Sequence, residues 1–198
     1  MQTVLEWDRY LLKLINSQWH NTFFDAVLPY VRIAEFWMPF YFFLLLYGLM
    51  NYKLAGLRWF GFAILTVILT NYISSDLIKE HIWRIRPCNN PALADWLRTP
   101  SLKYRPQSSS FTSSHAANHF GLAMFLYHTA KKVLGKWAYL FFVWAFMIGY
   151  AQVYVGVHYP IDILGGSAVG LAAGYTTASL FNKYKDARVR AKKAPGKD

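Results

Sequence analysis

Three short stretches carry residues suited to handling a phosphoryl group: Lys79-Glu-His-Ile-Trp-Arg-Ile-Arg86-Pro87, then Ser113-Ser114-His115, then His158-Tyr-Pro-Ile-Asp162. A phosphoryl group in transfer spreads negative charge over three equatorial oxygens, with nucleophile and leaving group in line. It therefore needs fixed donors around its equator, a nucleophile on one side and an acid on the other. Lys79 and Arg86 supply positive charge, and a planar guanidinium suits bidentate contact with phosphate. Ser113 offers a hydroxyl, and the backbone N–H groups of Ser114 and His115 open a helix, whose N-terminus attracts anions. His158 and Asp162 stand four apart with Pro160 between them, and proline suits the first turn of a helix. A carboxylate in that turn can accept an imidazole N–H, fix the tautomer and leave the other nitrogen as a nucleophile.

Each feature taken singly has a plainer reading. Lys79 and Arg86 alone read as interfacial anchors, Ser113-Ser114 as a helix cap, and His158 beside Tyr159 and Pro160 as a satisfied interfacial residue. His115 and His119, four apart on one helix face, have the spacing of metal ligands. Gly166, Gly170 and Gly174 form a small-xxx-small pattern, a helix-packing signal and not a ligand site.

The joint order and spacing resemble the type-2 phosphatidic acid phosphatase and vanadium haloperoxidase superfamily. Its pattern is a Lys separated by six residues from Arg-Pro, then Pro-Ser-Gly-His, then Ser-Arg followed by a His and, four residues on, an Asp. The likeness spans Lys79 to Asp162. It implies that His158 attacks phosphorus to form a phosphohistidine, with Asp162 orienting it. His115 then protonates the leaving oxygen and later activates water. Lys79, Arg86, Ser113, Ser114 and Gln152 would hold the phosphate, with no metal and no cofactor. Because the resemblance also brings Lys79 and Arg86 beside His115, where they repel a cation, His119 is assigned to helix packing. There are three departures: Thr112 replaces the Pro, Ser114 replaces the Gly, and Gln152 replaces the Arg of the third motif. The last removes one equatorial cation, for which Arg84 and Arg105 are the candidate substitutes.

Composition says where such a site sits. The 198 residues are 55% hydrophobic, 19% aromatic and only 16% charged, too apolar for an ordinary soluble domain. Ala34 to Tyr52, Leu57 to Ile78, Ala116 to Thr129, Trp137 to Tyr154 and Ile161 to Phe181 are long runs with few or no charges. Crossing a bilayer takes ~20 such residues; the third run is short unless it reaches from Ser113 to near Lys131. The expected fold is all-α, a polytopic transmembrane bundle of about five spans. Ahead of it, residues 1–33 carry Leu5, Leu11-Leu12 and Leu14-Ile15 at helical spacing with Glu6, Asp8, Arg9 and Lys13 between. That reads as an amphipathic helix in the membrane interface, or as one packed on the bundle; the acidic residues argue against a signal peptide. Residues 34–182 form the expected phosphatase core and 183–198 a basic tail. Cys88 is the single cysteine, so no internal disulfide is expected.

Basic residues set the orientation. Lys53 and Arg58, then Lys131, Lys132 and Lys136, then Lys183, Lys185, Arg188, Arg190, Lys192, Lys193 and Lys197 are twelve of the 21 cations. Five spans place all twelve on one side, cytoplasmic by the positive-inside rule. The three motifs then share the outer, periplasmic face of a bacterial inner membrane. The net charge of +11 follows from this topology, from a tail suited to anionic lipid and from the anion site, and does not point to nucleic acid. The resemblance thus implies an integral-membrane lipid phosphatase whose partners are the bilayer and a lipid phosphate. Undecaprenyl diphosphate is the lead substrate, with phosphatidylglycerophosphate, phosphatidic acid and the phosphates of lipid A as alternatives. A weakly active lipid-phosphate binding or scaffold protein is the reading favoured by Gln152; retention of His115, His158 and Asp162 argues against it. A transporter is remote, since only Asp76 places a charge within a span, near its end. Oligomeric state is not legible in the sequence.

Overall fold

Apolar runs of this length satisfy their backbone groups within themselves, so in lipid they must be helical. The computed structural model describes residues 2–193, with side chains described from residue 3 to 188, and contains only helices, turns and loops among them. Residues 194–198, with Lys197 of the basic tail, lie outside the described residues. Helix α1 (Gln2–Lys13) continues into a π-helical turn at Leu14–Gln18; α2 is Thr22–Val31; α3 (Met38–Tyr52) follows a 3-10 turn at Ala34–Trp37. Helix α4 (Leu54–Asn71) runs through a π-helical turn, Tyr72–Ile78, into a last helical turn at Lys79–His81. After a long loop come α5 (Ser114–Leu134), α6 (Leu140–Tyr154) and α7 (Pro160–Lys193).

The boundaries have local causes. Pro39 lies in the first turn of α3, where its missing N–H costs nothing. Ser113 caps α5 by accepting the N–H of Ala116 at 3.3 Å, and Gly135, at φ +55°, ends it. The third apolar run is therefore longer as a helix than its apolar count suggested: Lys131 and Lys132 lie in its last turn. Two helical stretches, Leu54–His81 and Ser114–Tyr154, are long and apolar enough to cross a membrane, the second being broken at Gly135. The pair Thr22–Val31 and Ala34–Tyr52, bent by 80°, adds a third if it crosses as one.

Packing is most extensive between α5 and α7, and glycine makes it possible. A Cβ on Gly166 would sit 2.3 Å from the Ser113 carbonyl oxygen, one on Gly170 2.3 Å from that of Ala117, and one on Gly174 2.2 Å from that of Gly121. Backbones approach this closely only where small residues face each other. Polar pairs add to the contact among the spans: Thr66 with Thr177 at 2.7 Å, and Thr70 donating to Asn118 at 2.7 Å. Large apolar side chains point outward, among them Phe42, Met50, Ile68, Phe146 and Leu164, the inverse of a water-soluble protein.

Helix α1 docks on the bundle through a stripe at i, i+4, i+8 made of Asp8, Leu12 and Asn16, all buried. Asn16 donates to the carbonyls of Arg98 and Tyr154, both at 2.7 Å, and accepts from the Arg98 N–H. Its other face leaves Val4, Trp7 and Leu11 exposed, the surface an interfacial helix offers to lipid.

Candidate active site

The glycine stripe determines what meets what. By holding α5 against α7 it sets the start of α5 beside the start of α7, where the Ser113 N–H donates to the Asp162 carbonyl at 3.1 Å. The loop between α4 and α5 closes over this junction: Ser110 N–H donates to the Arg84 carbonyl at 2.8 Å, and the Ser109 hydroxyl accepts from Arg84 N–H and donates to the Ile82 carbonyl. The ends of α4, α5 and α7 thus gather all three motifs.

At the centre stands His158, buried. Its Nδ1 faces Asp162 Oδ2 and Ser110 Oγ, each at 3.5 Å, and its Nε2 lies 2.9 Å from Arg86 Nη1. A guanidinium only donates, so Nε2 must be the unprotonated nitrogen and the proton sits on Nδ1, toward the carboxylate. Burial, opposed by Asp162 and reinforced by the charge of Arg86, depresses the His158 imidazole to about 4. It is neutral at physiological pH, with its lone pair directed at the cation that would hold a phosphate.

Asp162 is held by four groups besides His158. Arg84 Nη1 donates to Oδ1, while the Ser110 hydroxyl, at 2.5 Å, and the Tyr159 N–H, at 2.9 Å, donate to Oδ2. The Ser113 N–H described above takes its backbone carbonyl. Arg84 also pairs with Asp8, whose other oxygen accepts the Ile161 N–H at 2.8 Å, and it stacks on the Tyr159 ring at 3.9 Å. An Asp8–Arg84–Asp162–His158 chain therefore runs from the first helix into the site. Arg86 is fixed as firmly, donating to the carbonyls of Ser108, Ser109 and Val157 and to the Ser108 hydroxyl.

The remaining expected residues divide. Lys79 reaches Ser114 Oγ at 2.8 Å, and that hydroxyl also meets Ser75 Oγ at 2.8 Å. The serine in place of glycine therefore turns its side chain to the lysine, leaving its backbone N–H at the helix start. Ser113 spends its oxygen on the α5 cap. His115 lies in the first turn of α5, and its ring has no hydrogen-bond partner among the described residues. His119 has both nitrogens engaged, Nδ1 with the His115 carbonyl at 2.7 Å and Nε2 with the Tyr41 hydroxyl at 3.1 Å, against Trp144, so it belongs to the packing.

Two expectations need correction. Gln152, expected among the phosphate ligands, is buried and gives its amide N–H to the Arg32 carbonyl at 3.0 Å. Arg84 does not stand in for the missing cation, because Asp8 and Asp162 neutralise it, and Arg105 is exposed on the loop. Sequence reading missed the parts played by Asp8, Arg84 and Ser110. The serine run Ser108-Ser109-Ser110, just ahead of the second motif, was the one available signal.

A helical bundle whose exposed surface is largely apolar, with a neutral histidine between a carboxylate and a fixed arginine, defines a class of membrane phosphotransfer protein. The chain belongs to the PAP2 superfamily, which residues 56–186 match. It is a membrane lipid phosphatase of that family, a phosphoric ester hydrolase. It is 31% identical over 180 residues to a lipid A 4'-phosphatase of Bacteroides thetaiotaomicron, covering 89% of this chain and 77% of that protein. Among solved structures, Aquifex aeolicus LpxE superposes with a TM-score of 0.67 at 24% identity, covering 86% of this chain and 93% of that one. A PAP2-type phosphatidylglycerolphosphate phosphatase from Bacillus subtilis gives a TM-score of 0.69 at 21% identity, covering 93% and 88%. At these identities the two structures speak for the fold alone.

Proposed function

We propose that the protein removes a phosphate from a lipid by in-line transfer to His158 Nε2. The observation that carries this reading is the tautomer: the contact with Arg86 leaves Nε2 as a lone-pair nitrogen, and Asp162 lies on the protonated side. The P–O bond to the lipid breaks as the N–P bond forms, His115 gives the leaving oxygen its proton, and the same ring then takes a proton from water attacking the phosphohistidine. Lys79, Arg86 and the N–H groups opening α5 hold the equatorial oxygens. Fixed donors aimed at developing charge are the main source of such catalysis.

The substrate we favour is a lipid A-type phosphate, supported by the likeness to the Bacteroides thetaiotaomicron enzyme over most of this chain. Undecaprenyl diphosphate, the lead from sequence, and phosphatidylglycerophosphate are the competing substrates. Inorganic phosphate release from a panel of these lipids, by the purified full chain in detergent with EDTA present, decides among them. Turnover is expected to persist in chelator and to be inhibited by vanadate, because Lys79 and Arg86 make a site for anions. Loss of activity in EDTA that a divalent ion restores would overturn this.

We further propose five crossings, by α3 to α7, with the site on the periplasmic side. The domain reading of an interfacial segment, a core from residue 34 and a basic cytoplasmic tail from residue 183 goes with it. Ser101 is exposed on the loop beside the site. With Cys88 replaced, a Ser101→Cys variant is expected to react with an impermeant thiol reagent in intact cells. Protection of that cysteine until the cells are lysed would reverse the orientation.

A further inference from the structure

Among the described residues, Arg32 is a cation whose side chain has been given no partner. It caps the C-terminal end of α2, where the helix leaves the bundle wall at an 80° bend. Its side chain is half-buried, yet among the described residues its guanidinium makes no hydrogen bond and no ion pair. Glu35 is the carboxylate whose charge it feels, but Glu35 is exposed and does not reach it as an ion pair. Five donors in a partly desolvated place are costly to leave unmade. What surrounds Arg32 makes the cost higher. Its positive charge acts on Arg86 and Cys88 in the loop beside the site. Burial first, and then the positive charge of Arg32, lower the Arg86 guanidinium from its ordinary value. Arg32 and Arg86 are like charges that act against each other, an arrangement that an anion relieves.

Gln152 supplies the means of holding them. Its backbone carbonyl accepts from the N–H groups of Val157 and His158, at 3.1 and 3.3 Å, and so shapes the turn that presents the nucleophilic histidine. Its side-chain amide donates to the Arg32 carbonyl at 3.0 Å. One fully buried residue thus ties the His158 turn to the backbone of Arg32.

We infer that Arg32 is the third cation of the phosphate cradle, contributed by α2 in place of the one missing at position 152, with Gln152 as its positioning residue. Gln152 itself does not touch the anion. The ligand is a tetrahedral or trigonal-bipyramidal oxyanion, the phosphate of the lipid head group, so this inference rests on the phosphotransfer reading. It also accounts for the Gln152 departure without loss of function: the charge has moved to another helix and the residue that lost it has become its anchor.

Orthovanadate affinity of the purified full chain tests the cradle independently of turnover. Arg32→Gln is expected to weaken vanadate binding tenfold or more, with thermal unfolding unchanged because the side chain makes no hydrogen bond or ion pair among the described residues. Arg32→Lys, which keeps the charge but not the fork, is expected to fall between. Adding Gln152→Arg to Arg32→Gln is expected to recover affinity by returning a guanidinium from the other helix, a gain that no structural role for Arg32 would produce. Vanadate affinity and turnover of Arg32→Gln within twofold of wild type would overturn the inference while leaving the phosphatase reading intact. A wild-type chain that binds vanadate through Arg32 yet releases no phosphate from any lipid would refute that reading and leave the inference standing.

Discussion

His158→Ala is expected to abolish phosphate release, by a factor on the order of 10⁶, while lipid-phosphate binding persists. The size follows from the role: without Nε2 no covalent intermediate forms, and water must attack in a site shaped for a ring nitrogen. Asp162→Asn is expected to lose less, about 10⁴. An amide can still occupy the pocket made by Arg84, Ser110 and the Tyr159 N–H, but it no longer favours the proton on Nδ1. Rapid acid-free quench of wild type with labelled substrate should trap an acid-labile phosphoenzyme that His158→Ala lacks. Near-normal turnover in His158→Ala would remove the histidine from the reaction.

The second large effect is structural. Arg84→Ala leaves two buried carboxylates, Asp8 and Asp162, without their shared cation; their side chains are 3% and 0% exposed. Removing one partner from a buried ion pair costs about 3–5 kcal/mol. A large fall in melting temperature in detergent is expected, with at least a tenfold loss of activity as Asp162 is released. Asp8→Asn keeps a hydrogen-bonding group facing Arg84 and is expected to be milder on both counts. A melting temperature unchanged by Arg84→Ala would show that the bridge carries no stability.

The contrast between these variants shows what could be read from the chain. His158 and Asp162 were legible because their relation is local, four residues across the start of one helix. Lys79, Arg86 and His115 were legible because each sits at the end of an apolar run, where a charge needs a reason. The charge of Arg84 is plain in the sequence but its task is not, since its partners lie on α1 and α7 and nothing in the spacing announces them. Asp8 falls on the polar side of the expected amphipathic helix, and Asn16 just beyond it carries no signal; the burial of both depends on polar groups of the bundle, which a hydrophobic pattern does not encode. The exchange at position 152 is visible in the sequence, but the partner of the Gln152 amide is not, because a contact across 120 positions leaves no trace in a single sequence. Helix α5 outran its apolar run because Ser113 and Gly135, and not hydropathy, set its ends.

The Asp8–Arg84–Asp162 chain has a consequence for biosynthesis. Its members come from the first helix, from the loop after α4 and from the last helix, so the ribosome supplies the two carboxylates near the beginning and near the end of translation. A nascent chain halted before residue 162 carries Lys79, Arg86 and His115 but has neither the carboxylate that faces His158 nor a second partner for Arg84. On the proposed mechanism, hydrolytic competence is expected only after the final helix is in place and the first has docked on it.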